Sequence, residues 1–290
     1  MIARRESRDV AVTVVIPVWG RYCTFLSESV ASILDQTGEQ PRIVIVDNAS
    51  EQPLGPLPDA VEVIRSDKRM SVGAARNLAL REIDTPTVIF LDADDRLLPG
   101  AIDFLRSKMA ATTPDLVGCV GRHLSWDPAT GATALLDRAP KPIVFRVARH
   151  RRTFALANLR YNCFPIAGAI LRTESVRDAG GFGDSNVGED WILGTQLAFR
   201  GRFDFQQRPI FMRRVHAGSL WFRPHARSAY AERCKLLRSR VRHDRSVPLW
   251  VKACLPMLAL VHHYDATRVT GASALEPEHP LLKPTEATIS

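Results

Sequence analysis

Three carboxylates, Asp92, Asp94 and Asp95, crowd the end of the apolar run Val88-Ile89-Phe90-Leu91. Like charges this close repel one another, so acids that persist where a strand ends in a cleft are commonly neutralised by a hard cation such as Mg²⁺ or Mn²⁺. That chemistry points to a phosphate-bearing ligand. The ordinary alternative is a solvated turn whose acids cap the helix that begins near Pro99. Asp47, placed at the end of another β-branched run, weighs towards the first reading.

Elements must hold these acids, and from Val10 to Gly121 short β-branched runs alternate with helical segments, the pattern of a mostly parallel central sheet with helices on both faces. Strands are expected at Val12 to Val18, Ile43 to Asp47, Val61 to Arg65, Val88 to Asp92 and Leu116 to Val120. Leu26, Val30 and Ile33 recur at helical spacing, as do Ala75, Leu78, Ala79 and Ile83, and then Ile102, Leu105 and Met109. Pro17 with Trp19, Asp47 with Asn48, and the acidic triplet then all fall at carboxyl ends of strands, where open α/β sheets bind ligands. Residues from about Trp126 to Tyr161, broken by Pro128, Gly131, Pro140 and Pro142, read as a long connection. Strands at Ile166 to Leu171 and Ile210 to Val215, and helices at Glu174 to Ala179 and Glu189 to Arg200, follow.

With 290 residues, 46% hydrophobic and 24% charged, the chain has the composition of a soluble globular protein rather than a disordered one. Five scattered cysteines without C-x-x-C spacing support neither a disulfide framework nor a zinc site. Residues 1–6 show no apolar leader, so a cytoplasmic location is expected. Leu249 to Tyr264 is apolar but shorter than the roughly 20 residues a bilayer span needs. The net charge of +8 concentrates at Arg146 to Arg160 and Arg223 to Arg245, which favours an acidic partner without choosing among nucleotide, nucleic acid, anionic lipid and phosphorylated acceptor.

Five segments carry a family resemblance: Val14-Val15-Ile16-Pro17-Val18-Trp19, Ile45-Val46-Asp47-Asn48-Ala49-Ser50, Gly73-Ala74-Ala75-Arg76-Asn77, Phe90-Leu91-Asp92-Ala93-Asp94-Asp95 and Gly188-Glu189-Asp190-Trp191. In this order, over roughly residues 10 to 216, the chain resembles glycosyltransferase family 2. The resemblance implies the A-type, Rossmann-like glycosyltransferase fold, a nucleotide-diphosphate sugar donor with a UDP-sugar favoured, Mn²⁺ or Mg²⁺, and inverting transfer to a carbohydrate, lipid-linked or small-molecule acceptor. By the same resemblance Pro17 and Val18 lie beside the base through their backbone, Asp47 accepts from a base imide, and Arg76 belongs to the donor site. Asp92 serves the ribose or an indirect metal contact, Asp94 binds the metal directly with Asp95 in support, and His216 reaches metal or diphosphate. Asp190 is the implied general base, Glu189 an acceptor-orienting acid and Trp191 an acceptor platform, although a core tryptophan is an equal reading of that residue. Arg213, Arg214 and Ser219 would add phosphate contacts. One departure stands out: Lys68-Arg69-Met70-Ser71-Val72-Gly73 occupies the place where many relatives carry Asn-x-Gly.

The implied organisation is a catalytic domain at 1–221, with a nucleotide-binding half at about 10–121 and an acceptor-binding half at about 122–221. A basic and apolar helical extension at 222–270 and a loose tail at 271–290 complete it. Two alternatives compete on function: a nucleotide-sugar-binding or membrane-docked partner that has lost catalysis, and a sugar-phosphate nucleotidyltransferase, for which no glycine-rich, lysine-containing phosphate loop is present. Nucleic acid is not an expected partner, because no recognised motif accompanies the basic segments. The extension is read either as an amphipathic helix packed on the domain or as a peripheral attachment to an anionic membrane on the inner face of the cell.

Overall fold

The structure is a computed structural model that describes residues 11–110, 115–135, 147–148, 150–186, 188–216 and 227–272. Its strands are β1 (Val12–Val18), β2 (Arg42–Asn48), β3 (Val61–Ser66), β4 (Thr87–Phe90), β5 (Arg96–Leu97), β6 (Leu116–Trp126), β7 (Thr133–Leu135), β8 (Ile170–Arg172) and β9 (Arg202–Arg214). Its helices are α1 (Leu26–Leu34), α2 (Val72–Glu82), α3 (Ala101–Ala110), α4 (Arg151–Arg160), α5 (Thr173–Asp178), α6 (Glu189–Arg200), α7 (Arg227–His243), α8 (Leu249–Ala253) and α9 (Leu255–Ala272).

Every residue of β1 is buried, as a run of β-branched residues covered on both faces requires. Alternate residues feed opposite cores. Val14, Ile16 and Ile45 pack towards α1 and α3, while Val15, Val44 and Phe90 pack towards α2 and α6. Nine strands form one sheet in the order β3-β2-β1-β4-β8-β6-β9-β5, with β7 on β6. The first four are parallel and β6 and β9 run the same way, whereas β5, β7 and β8 run against them. The expected mostly parallel α/β sheet is therefore present, with antiparallel strands confined to its second half.

The sheet opens where the ligand is expected. β1 stays paired with β2 as far as Val18 and Asp47, but its pairing with β4 stops at Val15 and Phe90. The chain leaves β1 for β2 on one side and reaches β4 on the other, which makes this crevice a topological switch point.

Several boundaries differ from expectation. β4 ends at Phe90 rather than Asp92, because the backbone turns at once, with Asp95 N–H donating to the Asp92 carbonyl at 3.0 Å. The acids thus join β4 to β5 and do not cap α3, which starts at Ala101 and carries Asp103 in its first turn. The stretch read as a connection contains the end of β6, β7 and α4, since its prolines and glycine bracket regular elements rather than replace them. β8 starts at Ile170, after Ile166 to Ala169 forms a turn closed at 3.0 Å. β9 begins eight residues before Ile210 and pairs with β6 through register shifts, and its polar Gln206 and Gln207 mask the strand pattern.

The extension shares a core with the sheet: Cys234, Leu237, Val241, Val251 and Leu255 are buried in the cluster that holds Trp191 and Phe182. Its apolar segment is two helices, α8 and α9, with Pro256 near the start of α9 where a missing N–H costs no helical bond. Helix α9 runs to Ala272, so the tail expected from Gly271 loses its first two residues to helix. The boundary at 221/222 and residues 273–290 lie outside the described residues.

Candidate active site

Asp47 closes β2 and faces the end of β1. It is 2% exposed, and its Oδ1 accepts from Ser50 N–H at 2.9 Å while Oδ2 pairs with Arg65. The turn is tight enough to force Ala49 to φ 52°, a left-handed backbone that costs a non-glycine residue about 1 kcal/mol. Asn48, fully buried, exchanges two hydrogen bonds with the Met70 backbone at 2.8 and 2.9 Å. That clamp fixes the 68–70 segment across the crevice, where the Arg69 guanidinium lies 4.3 Å from the Trp19 ring. Trp19 meets Tyr22 edge-on, so the mouth of the crevice beyond Pro17 and Val18 is an aromatic and cationic wall. Pro17 and Val18 are themselves buried at the base of this wall, Val18 completely.

Helix α2 carries the central cation. Ser71 caps it by accepting from Ala74 N–H at 3.1 Å, and Gly73 lets its first turn approach the 183–186 segment so closely that an added Cβ would lie 1.9 Å from the Gly183 oxygen. Asn77 donates to the Phe182 carbonyl at 2.9 Å and accepts from its N–H at 2.8 Å. So anchored, Arg76 is 5% exposed and divides its fork: Nη2 donates to Asp92 at 2.6 Å and Nη1 to Glu189 at 2.8 Å. Its guanidinium also lies 5.0 Å from the Phe182 ring. Burial works against its charge, but Asp92 and Glu189 outweigh it and raise the pKa above the ordinary arginine value. Arg76, expected in the donor site, forms a buried bridge between two acidic groups.

Asp92, Asp94 and Asp95 each offer an oxygen within 4.8 Å of the others. Asp95 is buried, with Oδ1 accepting from Arg214 N–H at 3.1 Å, and burial together with Asp94 and Asp92 pushes its carboxyl well above the usual range. His216 Nε2 is 3.0 Å from Asp94 Oδ2, and its ring packs beside Phe25 and Tyr22. All four expected metal-site residues are therefore adjacent. The donor set is hard carboxylate oxygen plus one imidazole, with Arg76 offsetting part of the charge at Asp92, which fits Mg²⁺ or Mn²⁺.

Arg214 does not have the phosphate-contact role expected of it. It is buried between the Phe25 and Trp126 rings, bonded to Glu28 at 2.7 Å and to the Asp94 carbonyl at 3.0 Å, and so holds the acidic loop by its backbone. Arg213 stays partly exposed and lowers the Asp95 carboxyl; Ser219 lies outside the described residues.

Gly188, with φ 80°, starts α6 and delivers Glu189 and Asp190 to the same crevice. Glu189 is 7% exposed; burial raises its pKa to about 7 against the opposing pull of Arg76. Asp190 is only partly exposed, with Oδ1 accepting from Trp191 N–H at 2.7 Å and Oδ2 lying 3.5 Å from Asn162, and burial raises its carboxyl too. Trp191, expected as an acceptor platform, is core. It is 4% exposed, its indole N–H donates to the Asn158 carbonyl, and its ring lies between Tyr230 and His262 at 6.4 and 6.0 Å. Arg233 of α7 flanks Gly188 and adds positive charge beside Asp190 and Glu189.

Asn48, Arg65, Glu28, Asn77 and Arg233 were not singled out for these roles by sequence reasoning. Only Asn48 and Asn77, each inside a quoted segment, left a signal.

The model of the family described as glycosyl transferase family 2 matches residues 13–173. An uncharacterized glycosyltransferase of Rickettsia bellii (strain RML369-C) is 28% identical over 102 residues, which is 32% of this chain and only 14% of that protein. The crystal structure of S. aureus TarS 1–349 in complex with UDP-GlcNAc superposes with TM-score 0.66 at 15% identity, covering 94% of this chain and 78% of that one. The mannosyltransferase PcManGT from Pyrobaculum calidifontis, in complex with GDP-Man and Mn²⁺, gives TM-score 0.57 at 18% identity, covering 94% and 82%. The sheet order, the acidic turn after β4 and the matched segment agree: this chain has the A-type glycosyltransferase fold and belongs to glycosyl transferase family 2.

Proposed function

We propose that the protein transfers a sugar, with inversion, from a nucleoside-diphosphate sugar to an acceptor hydroxyl. The observation that carries this reading is the Arg76 bridge, which ties Asp92 of the acidic turn and Glu189 of α6 to one guanidinium. The donor's base would lie at the end of β1 and β2, where its imide N–H would replace the Arg65 guanidinium on Asp47 Oδ2, which favours a UDP-sugar; Arg69 and Trp19 would border the nucleotide. TarS and PcManGT, solved with UDP-GlcNAc and GDP-Man, support a nucleotide sugar while differing in its base. Asp94, Asp92, Asp95 and His216 would hold Mn²⁺ or Mg²⁺. Such a cation supplies Lewis acidity that offsets the charge growing on the departing diphosphate.

Asp190 would take the proton of the acceptor hydroxyl as its oxygen bonds to the anomeric carbon and the bond from that carbon to the diphosphate oxygen breaks. A carboxyl raised by burial is a stronger base than one in water. Glu189, held by Arg76, would fix the first turn of α6 and face the acceptor.

The test is a screen of UDP-glucose, UDP-GlcNAc and GDP-mannose for Mn²⁺-dependent hydrolysis, followed by Asp190→Asn. The substitution should leave donor binding within about twofold and lower turnover by about 10²- to 10⁴-fold. Near-normal turnover refutes Asp190 as the base; failure of every nucleotide sugar to bind refutes the reading as a whole.

A further inference from the structure

Large apolar side chains left in water are concentrated at one end of this molecule. Among the described residues, Leu249 is 82% exposed, Leu260 71%, Met257 65%, and Trp250 and Tyr264 54% each, all on α8 and α9. At about 100° per residue, Met257, Leu260 and Tyr264 share one face of α9, centred about 170° from the buried Leu255, His262 and Ala266. The inner face thus fills the core and the outer face is a second apolar stripe whose side chains stay more than half exposed. Two further exposed apolar residues, Leu156 and Tyr161, sit on α4 and just after it, tied to α9 by an Arg160 to Asp265 ion pair at 3.3 Å. Scattered exposed apolar residues are ordinary, but a contiguous group marks a contact surface.

The charge beside it selects the partner. Residues 227–272 hold nine Lys and Arg against three Asp and Glu, a difference of six out of the chain's net +8. Asp244 and Asp265 are already engaged by Arg200 and Arg160, so Glu232 is the one acid of this segment outside those pairs. Lys235, Arg242 and Arg245 are exposed, and Lys252 lies between Trp250 and Ala253. An apolar stripe beside an uncompensated basic surface is the pair of signals that a stable interfacial contact with anionic lipid requires. No helix among the described residues is long and apolar enough to cross a membrane.

We propose that the outer face of α8 and α9, flanked by the basic residues of α7, docks the protein peripherally on an anionic membrane surface. The tryptophan, methionine and leucine side chains enter the acyl boundary while the arginine and lysine heads stay among the phosphates. Tyr161, exposed at the end of α4, adjoins Asn162, whose side chain lies 3.5 Å from Asp190. On the transferase reading, docking therefore brings the acceptor end of the crevice to the lipid headgroups.

Flotation of the full chain with phosphatidylcholine vesicles, alone or with about 30 mol% phosphatidylglycerol, tests the proposal. Binding is expected only with the anionic lipid and should weaken as salt rises. The triple variant Trp250→Ser, Met257→Ser, Leu260→Ser should bind at least about tenfold more weakly. Arg242→Gln, Arg245→Gln, Lys252→Gln should lose about 100-fold. These side chains are partly or fully exposed, so thermal unfolding and nucleotide binding should match wild type in both variants. Absence of anionic-lipid binding, or equal binding by the variants, overturns the proposal. A dimer of wild type in light scattering that the apolar variant converts to monomer also overturns it and assigns the stripe to a second copy. Wild type that floats but binds no nucleotide sugar would leave the docking surface standing and remove the transferase reading.

Discussion

Replacing Arg76 with methionine keeps most of the volume on α2 and removes the charge shared by Asp92 and Glu189. The two halves of that bridge differ in worth. The Asp92 side chain is 40% exposed, so water screens its interaction, whereas the Glu189 and Arg76 side chains, taken without their backbone, are 9% and 6% exposed. Breaking a buried ion pair on one side costs about 3–5 kcal/mol, and with the Asp92 half discounted about 3 kcal/mol remains. How much of this appears depends on pH. Glu189 stands at about 7 in the folded chain against 4.5 ordinarily, so the folded state holds a proton that the unfolded state has released. Its stabilisation is complete below pH 4.5 and is lost as pH rises through about 7. Arg76 lowers this value, so the variant's Glu189 titrates higher. Above about 7 the variant's folded state retains a proton that wild type has given up, and its relative stability falls by about 1.4 kcal/mol per pH unit until its own pKa is reached. Asp190, which Arg76 also holds down, adds in the same direction. Urea unfolding of both proteins from pH 6 to pH 9 reads this directly. A stability difference that does not change with pH would refute the account of a buried, charge-dependent bridge.

Gly73→Ala should destabilise by about 1–3 kcal/mol through the clash with the Gly183 oxygen, read as a lower Tm; an unchanged Tm would show that the two segments separate freely. Asn48→Ala leaves both Met70 backbone groups without their partner and should cost about 2 kcal/mol. It should also weaken UDP binding, as should Arg69→Ala, for which calorimetry is expected to show about a tenfold loss with no change in unfolding. Asp94→Ala should abolish the rise in Tm that Mn²⁺ gives wild type; an unaltered response would place the cation elsewhere.

The first half of the sheet was legible because β1, β2 and β4 are built on nearly continuous apolar runs, and the acidic residues could be assigned to one edge because strand ends in a parallel sheet coincide. β9 was half missed, since β-bulges and a polar middle disrupt the alternation that betrays a strand. The pairing of His216 with Asp94 agrees with the family resemblance, which puts a histidine after a late strand near the metal. The partners that hold the site could not be read: Glu28 and Arg214 are 186 positions apart, and nothing local marks a glutamate on α1 as the support of a loop after β4. The two equal readings of Trp191, platform and core, could not be separated in the sequence because an indole beside Glu189 and Asp190 reads alike whether a sugar or a helix covers it. The covering residues, Tyr230 and His262, come from the extension.

That cover has a consequence for how the chain is made. Trp191 waits for His262, 71 residues later, so a ribosome that has finished β9 has still not delivered the ring that covers Trp191. Until α9 emerges, Trp191 and its neighbours on α6 lie open as sticky surface, and this non-local closure is the late, vulnerable stage of folding. Synthesis slowed within α7 would lengthen that exposure and favour aggregation, whereas the part of the crevice formed by residues 12–97 would already be made.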